Sequence, residues 1–233
     1  MPATRRVLAA FAAFLLAPCA PAGATAEATH YLDPSAFVPE RLLPPPPVAG
    51  SAREKRELDE VRRIIAAASP ERLEQARWDG AHENASAYNA VVGRDLATLP
   101  QTAALLDIVT EETEGVVVVA KDHFARLRPY GADPTLPHCG KKDATAAPRS
   151  YPSGHASIGY ALAWTLVRLM PDRAPAILAR ADDYAMSRAV CGVHYLSDLE
   201  AGHVVGTLVA ERLLADPRLA ARIAAARAEL FTH

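Results

Sequence analysis

Residues 100–126 read PQTAALLDIVTEETEGVVVVAKDHFAR, and the fold class turns on how that run is parsed. Its valine tetrad, 116–119, is the main β-branched block of the chain and taken alone would suit a strand. Four such residues inside a long helical pattern do not make a sheet, and alternating apolar and polar positions are scarce elsewhere. Upstream, Leu58, Val61, Ile64 and Ile65 recur at helical spacing with Arg and Glu on the opposite face. Working outward, the periodicity predicts helices over 51–68, 70–78, 83–92, 100–126, 154–170, 173–189, 195–214 and 216–230. The fold reads as all-α, a single-domain helical bundle. Its longest break runs from Pro129 to Pro152, where Pro129, Gly131, Pro134, Pro137, Gly140 and Pro148 exclude a regular element. A loop of that length in a compact domain is usually functional or mobile.

The 233 residues suffice for one domain with a sizeable core. With 25 Lys plus Arg against 27 Asp plus Glu, the formal charge of -2 leaves no cationic excess to hold a polyanion, so a nucleic-acid partner is excluded. Three cysteines are too few for a disulfide-built scaffold. At the amino terminus, Arg5 and Arg6 precede an apolar run over 7–17, then Pro18, Pro21 and small residues. That is the layout of a secretory signal peptide over 1–26, with cleavage after Ala24 or Ala26. Cleavage after Ala26 removes two arginines, leaving 25 - 2 = 23 basic against 27 acidic residues, or -4. A periplasmic location follows. Arg168, His203 and Glu211 interrupt the best later apolar stretches, so none reaches the ~18 residues of a membrane span. In an oxidising compartment Cys139 and Cys191 are an even pair once Cys19 has left, and a disulfide is expected; two buried free thiols are the alternative. Residues 27–50 form a proline-rich extended arm, with four successive prolines at 44–47, and 51–233 form the domain.

Three segments concentrate phosphate chemistry. In 121–129, KDHFARLRP, Lys121 and Arg128 stand seven apart, which on a helix brings their side chains to within about 20° of each other. In 150–157, SYPSGHAS, Ser153 sits where an N-cap belongs, and the amides from Gly154 onward would face an anion at a helix start. His155 stands at that rim. In 187–198, SRAVCGVHYLSD, Arg188 offers a planar fork for phosphoryl oxygens. His194 and Asp198, at i and i+4, allow a carboxylate to fix one ring nitrogen and leave the other free to attack. Each segment alone has an ordinary structural explanation: a solvated basic face, a capped helix, a structural His–Asp pair.

Together they form Lys121-x6-Arg128-Pro129, then 22 residues, Pro152-Ser153-Gly154-His155, then 31 residues, and Ser187-Arg188-x5-His194-x3-Asp198. This resembles the three-part signature of the type 2 phosphatidic acid phosphatase superfamily, which also holds vanadium-dependent haloperoxidases and membrane lipid phosphatases. Within it, the chain is most similar to secreted bacterial class A nonspecific acid phosphatases, through the signal peptide, the Leu42-Leu43-Pro44-Pro45-Pro46-Pro47 arm and the runs SYPSGH and CGVHYLSD. Ala156 stands where threonine is common in the family.

The resemblance implies His194 as nucleophile, Asp198 as its orienter and His155 as general acid. It implies that Lys121, Arg128, Arg188, the Ser153 hydroxyl and the Gly154 amide hold the phosphoryl oxygens. Such a cradle complements the equatorial oxygens without a metal or other cofactor. The expected substrates are small phosphomonoesters, with vanadate as inhibitor and an acidic, bell-shaped pH profile. Phosphotransfer to an alcohol is open to the intermediate, and apolar helices with a proline arm would suit a homo-oligomer. The rival readings are a haloperoxidase, for which the chain is short, and a noncatalytic phosphate binder, which leaves the His194–Asp198 pair unexplained. Metal ligation is weakly supported, since there is no H-E-x-x-H. His30, His82, His123, His138, His203 and His233 default to solvated or packing roles. Tyr130 and Tyr151, at the ends of the long loop, either line a leaving-group pocket or pack.

Overall fold

The computed structural model describes residues 30–139 and 148–232. The expected leader, with Ala24 and Ala26, lies outside the described residues, as does part of the long break, 140–147. The architecture rests on α1 (Ala52–Ala67), α2 (Pro70–Ala81), α3 (Pro100–Phe124), α4 (Gly154–Leu169), α5 (Ala174–Val190), α6 (Leu196–Leu214) and α7 (Ala220–Phe231), with short turns between them. No strand occurs among the described residues, and the fold is all-α. The valine tetrad lies inside α3: Val116 and Val117 are buried while Val118 is exposed, as a helix requires and a strand would not. Starts follow local chemistry. The hydroxyls of Ser51, Ser69 and Ser153 accept from the amides of Glu54, Arg72 and Ala156, and Pro70 and Pro100 occupy first-turn positions that need no donor.

The centre is α4, buried over most of its surface and packed against α6, α5 and α3. Its approach to α6 depends on two glycines one turn apart. A Cβ on Gly206 would lie 2.2 Å from the Ser157 carbonyl oxygen, and one on Gly202 would lie 2.7 Å from the Ala156 Cβ. The missing side chains let the two backbones meet at the start of α4, where the Ser153 amide donates to the Asp198 carbonyl at 3.0 Å. Packing thus joins the second and third chemical segments.

Several boundaries differ from the periodicity. The expected 83–92 helix breaks into a 3-10 turn, Ala85–Tyr88, and a single turn, Asn89–Val92, closed by left-handed Gly93 (φ 77°). Asn89 explains the break, because its side-chain oxygen accepts from the Leu96 amide at 3.0 Å and offers the backbone a non-helical partner. The arm contains two single turns, Pro34–Ala36 and Pro39–Leu42, each begun by proline. It lies on the bundle with Phe37 and Leu43 buried, the Tyr31 and Leu32 amides donating to Glu112 at 2.8 and 3.0 Å, and Tyr151 Oη donating to the Pro44 carbonyl at 2.7 Å. A single helical turn, Pro129–Ala132, opens the break expected to lack regular structure; proline at its first position is compatible with a helix start. Cys139 and Cys191 are disulfide-bonded, and the Cys139 amide donates to the Cys191 carbonyl at 2.9 Å.

Candidate active site

The site is built on Asp198, the third residue of α6 and fully buried. Its Oδ2 accepts from the Tyr195 amide (2.9 Å) and Ser150 Oγ (2.6 Å) and faces His194 Nδ1 (3.2 Å); its Oδ1 accepts from Arg126 Nη1 (2.7 Å). Burial pushes the Asp198 pKa up, while Arg126 and the hydrogen bonds from Ser150 and Tyr195 pull against it. Four donors around two oxygens leave the carboxyl no acceptor for a proton of its own, so it acts as a carboxylate. Arg126 is itself buried. Its other arm donates to Glu57 Oε2 at 2.8 Å, Ser197 Oγ bonds both Arg126 and Glu57, and the guanidinium lies 3.9 Å over the Tyr195 ring.

His194 precedes α6. Its contact with Asp198 is made across the N-terminal cap of that helix, in place of the expected side-by-side contact within one helical turn. With Nδ1 facing a carboxylate, the ring proton sits there and Nε2 presents a lone pair, which accepts from Arg128 Nη1 at 3.2 Å. Burial, then the charges of Arg128, Lys121, Arg188 and His155, push the His194 pKa well below the ordinary histidine value. The surroundings of His194 thus favour its neutral form, with the tautomer set by Asp198.

Lys121 and Arg128 do converge, although not by the helical spacing. The helix stops at Phe124, and Ala125 adopts a left-handed conformation (φ 46°) with its amide bonded to the Lys121 carbonyl. The chain then turns, so Arg128 reaches His194 from outside the helix and also donates to the Val193 carbonyl at 3.1 Å. Lys121 Nζ lies 3.3 Å from where a Gly154 Cβ would be, which places it at the amino end of α4. Burial and the neighbouring Arg128 bring its pKa down to about 8. No acceptor among the described residues bonds Lys121 Nζ or the Arg188 guanidinium, although Arg188 is buried and Lys121 half-buried. Buried cations left this way call for an anion. Ser153 is the expected N-cap of α4, and Gly154 follows it without a side chain to block the helix end.

A fourth segment, 79–83 at the end of α2, also borders the site and lies outside the three spaced segments. Asp79, fully buried, accepts from Ser187 Oγ at 2.5 Å and from Arg180, which pins α2 to α5 beside Arg188. Gly80 makes room for Arg188: a Cβ there would sit 2.2 Å from its Nη1. The Gly80 carbonyl faces His155 Nε2 at 3.2 Å, and Glu83 Oε1 faces His155 Nδ1 at 2.9 Å. Arg126 and Ser150 were missed, although both lie inside the quoted segments. Every residue assigned from the sequence, His194, His155, Asp198, Lys121, Arg128, Ser153, Gly154 and Arg188, is brought to this one region. Tyr151 is a packing residue, buried edge-on against Phe124 (5.0 Å between ring centroids), and Tyr130 stacks on His138 at 4.3 Å.

The family model described as PAP2 superfamily matches residues 102–218. The chain is 31% identical over 198 residues to a non-specific acid phosphatase of Providencia stuartii, covering 81% of this chain and 79% of that protein. It is 30% identical over 198 residues to a non-specific acid phosphatase of Salmonella typhimurium, covering 81% and 78%. An acid phosphatase of Zymomonas mobilis is 32% identical over 184 residues, covering 72% of this chain and 66% of its own length, just under two thirds. Among solved structures, a transmembrane PAP2-type phosphatidylglycerolphosphate phosphatase from Bacillus subtilis shares the fold, with a TM-score of 0.52 at 16% identity over 76% of this chain and 87% of that one. No helix among the described residues here is long and apolar enough to cross a membrane. The fold, the cationic cradle around His194 and these kinships agree: the chain belongs to the PAP2 superfamily and is a relative of the bacterial non-specific acid phosphatases.

Proposed function

We propose that the chain is an exported, metal-independent acid phosphatase that hydrolyses small phosphomonoesters through a phosphohistidine at His194. The observation that carries this is one buried imidazole with Nδ1 on Asp198 and Nε2 turned toward Arg128, beside two cations, Lys121 and Arg188, that no acceptor among the described residues engages. Lys121, Arg128 and Arg188 supply the charge that phosphoryl transfer asks of a protein, and Ser153 and the Gly154 amide complete the cradle. His194 Nε2 forms the bond to phosphorus as the bond to the ester oxygen breaks, and His155 gives its proton to that oxygen. Asp198 stabilises the positive charge the ring of His194 then carries. Water attacks the phosphohistidine, its proton passes to the now neutral His155, and phosphate leaves with both histidines restored. An alcohol in place of that water yields a phosphotransfer product. Vanadate, as a trigonal bipyramid, matches the transition state and inhibits.

Export rests on the 1–26 pattern, with the arm 27–50 and the domain 51–233 delivered to the periplasm after cleavage at Ala24 or Ala26. The test is hydrolysis of p-nitrophenyl phosphate by the secreted protein across pH, with chelator and vanadate as additives. The expected result is an acidic bell that survives chelation, disappears with vanadate and is absent from folded His194→Ala protein. A flat or alkaline profile, or loss of activity on chelation, would overturn it.

A further inference from the structure

We propose that Glu83 is the positioning residue that keeps the leaving-group acid, His155, protonated and aimed, and so sets how well the site handles esters of poorly acidic alcohols. This rests on the proposed phosphatase chemistry and adds a residue that the three signature segments do not contain.

The two histidines share one electrostatic environment yet need opposite protonation states. Lys121 from α3, Arg128 from the turn beyond it and Arg188 from α5 surround the cradle, and together with burial they keep His194 without a second proton. His155 borders the same cradle, and what distinguishes the two rings is the carboxylate each one meets. At His194 the carboxylate, Asp198, is already matched by Arg126, Ser150 and the Tyr195 amide. At His155 the carboxylate is Glu83. Its Oε1 lies 2.9 Å from Nδ1, and His155 is the one side chain among the described residues within hydrogen-bond distance of it.

The second ring nitrogen of His155 faces the Gly80 carbonyl at 3.2 Å, so both nitrogens meet acceptors, an arrangement that a doubly protonated ring satisfies. The Tyr184 ring stacks at 6.2 Å on the same imidazole and adds no charge in the acidic range, since burial raises its phenol. Burial would push Glu83 up as well, but the hydrogen bond from His155 and the charges of Lys121 and Arg188 prevail and hold it below the usual carboxylate range. Glu83 thus remains an anion where an acid phosphatase works. His155 retains its Nδ1 bond to Glu83, while Nε2 is free to exchange the Gly80 carbonyl for the ester oxygen that receives its proton.

The test compares wild type, Glu83→Gln and Glu83→Asp on p-nitrophenyl phosphate, whose phenolate leaves with little help, and glycerol phosphate, whose alkoxide must be protonated. The quantity read is kcat/KM, which covers the steps through alcohol release. For Glu83→Gln we expect a loss of about 30- to 100-fold on glycerol phosphate but only about threefold on p-nitrophenyl phosphate, with the alkaline limb of the pH profile displaced to lower pH. Glu83→Asp, which keeps the charge, should recover part of the loss. Equal losses on both esters with an unmoved pH profile would assign Glu83 a purely structural role and overturn the proposal, as would wild-type values on both. Glu83 is partly exposed, so the isosteric change leaves the fold standing. If wild type hydrolysed neither ester, the phosphatase chemistry itself would fall, an outcome distinct from either of these.

Discussion

Replacing Arg126 with methionine keeps most of the side-chain volume and removes the charge that faces Asp198 and Glu57. In the native protein Arg126 Nη1 is 2.7 Å from Asp198 and Nη2 is 2.8 Å from Glu57, with the guanidinium almost fully buried. Breaking a buried pair by deleting one partner costs about 3–5 kcal/mol, because the remaining charge stays out of water. For a chain of this size, each kcal/mol lowers Tm by roughly 2–4 °C, so Arg126→Met should melt roughly 6–20 °C below wild type at neutral pH. The loss should depend on pH. Burial holds the Asp198 pKa above its ordinary value even with Arg126 present, and Arg126 is first among the groups that lower it, so without Arg126 the native carboxyl binds its proton more tightly still. The unfolded carboxyl is common to both proteins, so the stability of the variant relative to wild type falls as pH rises past the native Asp198 pKa of the wild type, itself above the ordinary carboxyl value, and recovers on acidification. Thermal and urea unfolding at pH 4 and pH 7 measure both effects. A change under about 1 kcal/mol at pH 7, or a deficit that grows on acidification, would refute the role given to Arg126.

Lys121, with a pKa of about 8, carries its charge throughout the acidic range and gives it up above that value. Competitive inhibition by inorganic phosphate should therefore weaken about tenfold for wild type relative to Lys121→Arg between pH 7 and pH values well above 8, the ratio cancelling the titration of phosphate itself. Gly80→Ala places a methyl group 2.2 Å from Arg188 Nη1, so kcat/KM should fall about 10- to 100-fold, mainly through KM, with Tm little changed. Gly206→Ala drives a methyl group to 2.2 Å from the Ser157 carbonyl and should destabilise by about 1–3 kcal/mol in urea unfolding, since the α4–α6 contact cannot open without moving the site.

The helices were legible where hydrophobic period and caps agree, as in α1 with Ser51 and α4 with Ser153. They were less so at 83–92, where the side chain of Asn89 rewards a turn that periodicity does not register. The signature residues were legible as types at fixed intervals, yet the reasons they meet were not always those that spacing suggests. Lys121 and Arg128 converge because Ala125 turns left-handed, an unusual conformation for alanine that no composition rule anticipates. Arg126, Glu57, Gly80 and Glu83 escaped because their partners lie about 70 or more residues away in sequence, and such contacts follow from packing rather than from local pattern. A charged residue next to two assigned cations was the available signal for Arg126, and a glycine–glutamate pair just beyond the expected end of a helix was the signal for 79–83.

The central claim is that the Nε2 atom of His194 takes the phosphoryl group. The direct measurement is a rapid alkaline quench of enzyme turning over a labelled phosphomonoester, followed by peptide mapping of the acid-labile, base-stable label. The label should appear on the peptide carrying His194, in proportion to active sites, and be absent from Asp198→Asn protein, whose ring has lost its orienting charge. Steady turnover with no label on that peptide, or a label on another residue, would contradict it.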